Sequence, residues 1–216
     1  MGRDDHRKTD QQVVLLSLEC CEMPAVEYQR STYDNRTGSP EPLNVFSLDF
    51  NHIFHTLIGS NMDVAKRIEE YLAGPDELRQ SIAGMSAAEI DAAPIPGKWS
   101  TRQIICHIAD FEPVYADRMK RVIAEEKPPL LGGDPDLFAA KLAYDQRDLE
   151  EEFQLMTAVR QHTARILKTL SPEQFQRTGI HSRDGELSLA TLLDRITNHI
   201  PHHIRLIREK REAMNV

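Results

Sequence analysis

The run Asn198-His199-Ile200-Pro201-His202-His203 places three imidazoles within five residues. A neutral imidazole offers a lone pair at neutral pH and is the most common metal ligand in proteins, so this clustering raises the question of a divalent ion. On a helix, residues turn by about 100° each, and with His199 at zero His203 falls at about 40°. On the same count Leu192 falls at about 20°, Ile196 at about 60°, and Leu189 and Ile207 at about 80°. His199 and His203 therefore share the apolar stripe. His202 falls at about −60°, at the edge of the stripe, and is better suited to the mouth of a site than to its floor.

Two histidines four residues apart form the pair that HExxH metalloproteases use to hold zinc. The glutamate that serves those enzymes as base is absent between His199 and His203, so that mechanism is disfavoured. His107 supplies a third inward imidazole, because it follows Ile104 by three residues and precedes Phe111 by four. A single inward histidine is ordinarily a satisfied core residue. Three on two helices would crowd several polar rings into an apolar interior, and a shared ion relieves that cost. Three imidazoles with a fourth position open describe a catalytic rather than a purely structural zinc-type site.

Other groups stand near these histidines in sequence. Asp110 and Glu112 closely follow His107, and a carboxylate can orient a metal-bound imidazole through its second nitrogen. The plain reading of both is a solvated charge, which takes precedence. His162 sits among polar residues and is expected to be solvated, and His181 falls in a loop that would cover the site. His52 and His55 are read as incidental. Cys106 adjoins His107, but adjacent helix residues point about 100° apart and form no catalytic pair. Cys20, Cys21 and Cys106 are an odd set with two adjacent, which is no disulfide framework and suits a reducing compartment.

The elements that must position these groups are helices. Residues 63–83 read as a first long helix with Val64, Ile68, Leu72, Leu78 and Ile82 inward, a kink or break at Gly74-Pro75, and Gly84 as its stop. Ser86 and Glu89 form a capping box for a short helix. Ser100 and Gln103 form another, opening a second long helix to about residue 126 that should bend near 109–112 because of Pro113. After a Pro- and Gly-rich loop and a short helix over 136–142, a third long helix covers 148–170. Its inward residues are Leu149, Phe153, Met156, Val159 and Ile166. A capping box at Ser171, a polar hairpin or loop over 177–186 and the cap Ser188 lead to a fourth long helix, 189–213. The expected fold is all-α: a four-helix bundle with short accessory helices.

Residues 1–61 show no sustained period and contain the loop-like run Thr37-Gly38-Ser39-Pro40-Glu41-Pro42. The apolar pieces 13–18 and 45–50 have no evident partner there. The expected division is an irregular, loosely structured or disordered N-terminal extension over 1–61 and a bundle domain over 62–216. Met62 is a candidate natural start, which would make the preceding segment an over-extended reading frame or an arm.

The 216 residues carry 28% charged side chains, a net charge of −8 and a pI near 5.6. This balance excludes a phosphate-tracking surface, so nucleic acid is not an expected partner. No apolar run approaches the roughly 20 residues that span a bilayer, and no signal segment is evident. A cytoplasmic location without membrane contact is expected.

The run Pro96-Gly97-Lys98-Trp99-Ser100-Thr101-Arg102-Gln103, then His107-Ile108-Ala109-Asp110-Phe111-Glu112 and Arg118, then Gly185-Glu186-Leu187-Ser188-Leu189 and His199-Ile200-Pro201-His202-His203, resembles the DinB/YfiT-like superfamily. That superfamily is unrelated to the DNA polymerase sharing the DinB name. The resemblance covers about residues 63–213. It implies a DinB-like four-helix bundle with a histidine triad on zinc, nickel or a similar ion, and maps the ligands onto His107, His199 and His203. It further implies a homodimer. Relatives include thiol S-transferases and thiol-dependent isomerases, alongside proteins known only as hydrolases.

The expected activity is therefore activation of a low-molecular-weight thiol, or of water, for attack on a small electrophile. Hydrolysis of an amide or ester is the alternative, with Glu112, Asp110 or His202 handling protons. A bundle in which the ion only fastens helices together is the non-catalytic alternative. No organic cofactor site is evident.

Overall fold

The computed structural model describes residues 63–216. The expectations for 1–61, including the pieces 13–18 and 45–50, Cys20, Cys21, His52, His55 and the start at Met62, lie outside the described residues. Four long helices dominate: α1 (Val64–Ser81), α3 (Thr101–Ala124), α5 (Leu149–Leu167) and α6 (Leu189–Met214). Two short ones, α2 (Ala87–Asp91) and α4 (Pro135–Lys141), lie in the connections.

The helix starts follow the capping signals. Ser100 Oγ accepts from the Gln103 amide while Gln103 Oε1 accepts from the Ser100 amide, and Ser86 with Glu89 repeats the device. Asp63, Asp148 and Ser188 cap α1, α5 and α6 through their side chains. Gly84 takes φ +82°, a left-handed conformation at which an L side chain would be strained, and the chain turns there. Two expectations need correction, a break at Gly74-Pro75 and a loop position for His181. Pro75 lies within one continuous helix rather than breaking it, because packing of the helix along its whole length outweighs one lost backbone bond, and the helix that carries Pro113 is likewise continuous. Of the two alternatives for 177–186 the structure takes the hairpin, so His181 ends a strand instead of lying in a loop.

The small sheet has the order β1 (Pro129–Leu130), β2 (Thr178–His181), β3 (Gly185–Ser188). β1 runs parallel to β2 with Leu130 opposite His181, and β2 runs antiparallel to β3 with His181 opposite Gly185. Gly179 makes the first pairing possible: a Cβ there would lie 2.9 Å from Leu130 Cδ1 and 3.0 Å from the Pro128 carbonyl.

The apolar core forms two clusters. One joins Ile68 and Tyr71 of α1, Met119 and Val122 of α3, Ala164 and Leu167 of α5, and Leu189, Leu192, Leu193 and Ile196 of α6. The other joins Leu78, Ile104, Ile105, Ile108 and Ala109, Phe153 and Met156, and Ile200, Ile204 and Ile207. These memberships fix the directions: α1 and α6 run one way, α3 and α5 the other, and each helix touches one parallel and one antiparallel neighbour. Parallel α3 and α5 need a long return, which 125–148 provides with β1 and α4.

Candidate metal centre

His107 comes from the second turn of α3, and His199 and His203 come from successive turns of α6, its antiparallel neighbour. The three Nε2 atoms converge. His199 Nε2 stands 3.0 Å from His107 Nε2 and 3.1 Å from His203 Nε2, and one nitrogen from each ring lies within 4.8 Å of the others. His107 and His203 are 0% exposed and His199 is half-buried, so the cluster reaches outward past His199.

Burial pushes the His107 imidazole down to about 3, and burial together with the neighbouring imidazoles holds His199 and His203 well below the ordinary histidine value. All three rings are therefore neutral at pH 7. Each has one N–H and one lone pair to place. If His199 Nε2 donates to its neighbours, the His203 proton sits on Nδ1, which is buried with no hydrogen-bond partner among the described residues. If instead the protons sit on Nδ1, three lone pairs face one another at contact distance. No tautomer set satisfies the cluster. A cation between the rings accepts all three lone pairs, and the separations suit one: imidazoles at about 2.0–2.1 Å from a tetrahedral ion stand roughly 3.4 Å apart. The donor set fits a divalent ion of the zinc type.

Aromatic rings line the approach. The Trp99 and Phe111 ring centroids lie 5.1 and 4.6 Å from that of His107, and Phe138 of α4 packs 5.6 Å from Phe111. His202 is half-buried, with its ring centroid 5.1 Å from that of His203, and Arg205 donates to its Nδ1 over 3.0 Å. Its half-burial agrees with a helical angle at the edge of the apolar stripe.

The two acids following His107 are placed differently from either sequence reading. Glu112 is neither solvated nor bonded to an imidazole; it is 0% exposed and accepts from Arg160 Nε at 2.9 Å and Nη2 at 2.5 Å. Asp110 accepts from Tyr144 Oη at 2.8 Å and from Arg147 Nη1 at 2.9 Å. Both carboxylates are occupied by arginines that the sequence reading did not single out. Arg160 sits one turn after Met156 on the inward stripe, and that position was its only signal. Cys106 is buried with Sγ turned to the Tyr144 carbonyl, its thiol pushed up to about 12 by burial, so it is inert toward His107. His162 is exposed, as its neighbours predict.

Residues 70–207 match the sequence profile of the DinB superfamily. The chain belongs to the DinB superfamily. Among its relatives in this superfamily, "Putative metal-dependent hydrolase OB0782" of Oceanobacillus iheyensis is 26% identical over 145 residues, 67% of this chain and 84% of the relative. "Putative metal-dependent hydrolase YfiT" of Bacillus subtilis is 26% identical over 141 residues, 65% of this chain and 79% of YfiT. The solved structure of YfiT, described as "a probable metal-dependent hydrolase with an unusual four-helix bundle topology", aligns with TM-score 0.67 at 23% identity, covering 82% of this chain and 95% of YfiT. The fold of this superfamily member is thus the YfiT four-helix bundle, with the small sheet a minor addition. No helix among the described residues is long and apolar enough to cross a membrane.

Proposed function

We propose that this chain is a metal-dependent enzyme in which His107, His199 and His203 hold one divalent ion, zinc or nickel, and a small nucleophile attacks an electrophile beside it. The convergence of three neutral Nε2 atoms carries this reading. Bound there, the ion would supply Lewis acidity, lowering the pKa of a thiol or water in its open position. The protein's own contribution is to hold the rings and to keep water out. His107 and His203 fix the inner side, His199 faces the approach, and Trp99, Phe111 and Phe138 provide an apolar wall for a small substrate.

A low-molecular-weight thiol is the favoured nucleophile, with transfer to the electrophile as the reaction. Amide hydrolysis requires a proton for the leaving group, and Asp110 and Glu112 are both committed to arginines. Hydrolysis remains the second reading, supported by the names of the relatives and by half-buried His202, the titratable side chain best placed at the mouth to carry a proton.

Metal analysis of the purified full chain beside His203→Ala tests the centre. About one ion per chain in the wild type and its loss in the variant are expected; no stoichiometric ion after loading would sink both enzyme readings. Turnover of small electrophiles only with added thiol supports transfer, and turnover of esters or amides without thiol supports hydrolysis. Metal-dependent melting with no turnover on either panel would leave an ion that only fastens the helices.

A further inference from the structure

A second set of side chains lies along the same two helices. Arg118 is eleven residues after His107 on α3, three turns on and within about 20° of the same face. Arg195 lies one turn before His199 on antiparallel α6, so both arginines are displaced from the triad toward the same end. Residues 131–133 join the two places: a Cβ on Gly133 would lie 3.1 Å from Phe111, which packs on His107, and one on Gly132 would lie 3.9 Å from the His181 ring.

Arg118 is 5% exposed, yet its hydrogen bonds from Nε and Nη2 end on one carbonyl, that of Leu131, at 3.1 and 2.5 Å. Its guanidinium stacks on Tyr115, and no carboxylate stands at ion-pairing distance from it among the described residues. A buried guanidinium whose Nε and Nη2 hydrogen bonds end on a neutral carbonyl, with the Asp184 carboxylate acting on it from beyond ion-pairing distance, keeps part of its charge uncompensated. Arg195 and Arg183 add to the field at His181, and among the described residues Asp184, ion-paired with Arg195 and with Oδ2 3.5 Å from His181 Nδ1, is the acid that acts on both Arg118 and His181. Three guanidinium groups meet one carboxylate, in a chain whose net charge is −8.

His181 completes the arrangement as a donor. Its Nδ1 accepts from the Arg183 and Asp184 amides at 3.4 and 3.2 Å, so the ring proton sits on Nε2, the nitrogen 4.0 Å from the position of a Cβ on Gly132.

We infer that Arg118, Arg195 and His181 form an oxyanion subsite that holds a carboxylate or phosphate group of the substrate while its reacting end lies at the histidine triad. The inference rests on the reading of the triad as an enzyme centre. Planar guanidinium forks match oxyanion geometry, and the arginine behind Leu131 is already desolvated. Asp184 is the internal anion that a substrate displaces from Arg195.

Succinate, inorganic phosphate and the neutral diamide succinamide serve as probes, titrated calorimetrically into the metal-free full chain so that no ion contributes. Succinate or phosphate is expected to bind and succinamide is not; which anion binds more tightly separates a carboxylate from a phosphate site. Arg195→Gln, at a partly exposed position, should weaken binding at least tenfold with an unchanged melting temperature. Asp184→Asn should tighten it several-fold. Absence of anion binding to the wild type, equal binding of succinamide, unchanged affinity in Arg195→Gln, or weaker binding in Asp184→Asn would overturn the subsite. Because the titration is metal-free, these outcomes are separate from loss of the metal centre, which the metal analysis reads.

Discussion

Arg160 donates through both Nε and Nη2 to a single oxygen of Glu112, and the pair lies where the two apolar clusters of the bundle meet. Its other hydrogen bonds go to the carbonyls of Tyr71 at 2.6 Å and Ile196 at 3.1 Å, so one guanidinium ties α5 to α1, α3 and α6. The Tyr71 hydroxyl donates to the second Glu112 oxygen at 3.4 Å. Because Glu112 follows His107 on α3 and Ile196 precedes His199 on α6, this polar layer sets the spacing of the two helices that bring the histidines together.

Removing one partner of such a pair leaves an uncompensated buried charge, at a cost of about 3–5 kcal/mol. Glu112→Ala and Arg160→Ala should each lose roughly that much in chemical denaturation. The Glu112→Gln, Arg160→Met double variant should be less damaged than the sum of its singles. Additive losses would show that the two side chains do not act as a pair.

Gly74 belongs to the same layer. A Cβ there would lie 2.3 Å from Arg160 Nη1 and 3.0 Å from Ile200 Cδ1. In an exposed helix, replacing glycine with alanine adds about 1 kcal/mol. Here Arg160 is held by four hydrogen bonds and cannot yield, so Gly74→Ala should instead destabilise by about 2 kcal/mol. A variant at least as stable as the wild type would show that the guanidinium moves.

Legibility in the sequence followed the physics of each group. The four helices could be read because serine and aspartate caps and apolar stripes are local signals, and the triad could be read because imidazoles on an apolar face are conspicuous. The partners of Glu112 and Asp110 could not. Arg160 is 48 residues from Glu112, and nothing local distinguishes a buried guanidinium from a solvated one. The hairpin at 178–188 gave an ambiguous signal because β1, its other pairing partner, is only two residues long. His181 accordingly read as a loop residue, and its contacts emerge only when Leu130 pairs beside it.

Metal loading should raise stability by mass action. At a free zinc or nickel concentration about a hundredfold above Kd, an ion bound only by the native state adds about 2.7 kcal/mol. The melting temperature should rise in the wild type, and His107→Ala and His203→Ala should abolish the rise. Retention of the full shift in both variants would place the ion elsewhere.

In the metal-free chain the same histidines dictate a pH dependence whose sign follows from burial. Their folded pKa values lie below the ordinary 6.5, about 3 for His107, so the unfolded chain binds protons that the native chain refuses. Well above pH 6.5 neither state is protonated at these rings, and they contribute nothing to the slope. As pH falls from 6.5 toward 3, stability is lost. For His107, 0% exposed, the loss between pH 7 and 5 should be about 2 kcal/mol, and His199 and His203 add losses of the same sign. Urea denaturation in chelator at pH 7, 6 and 5 measures it, in a range where most carboxylates remain ionised. His203→Asn should remove about one histidine's share of the slope while lowering stability at pH 7. If the wild type is as stable at pH 5 as at pH 7, the rings are protonated in the native chain, and three neutral lone pairs do not await an ion.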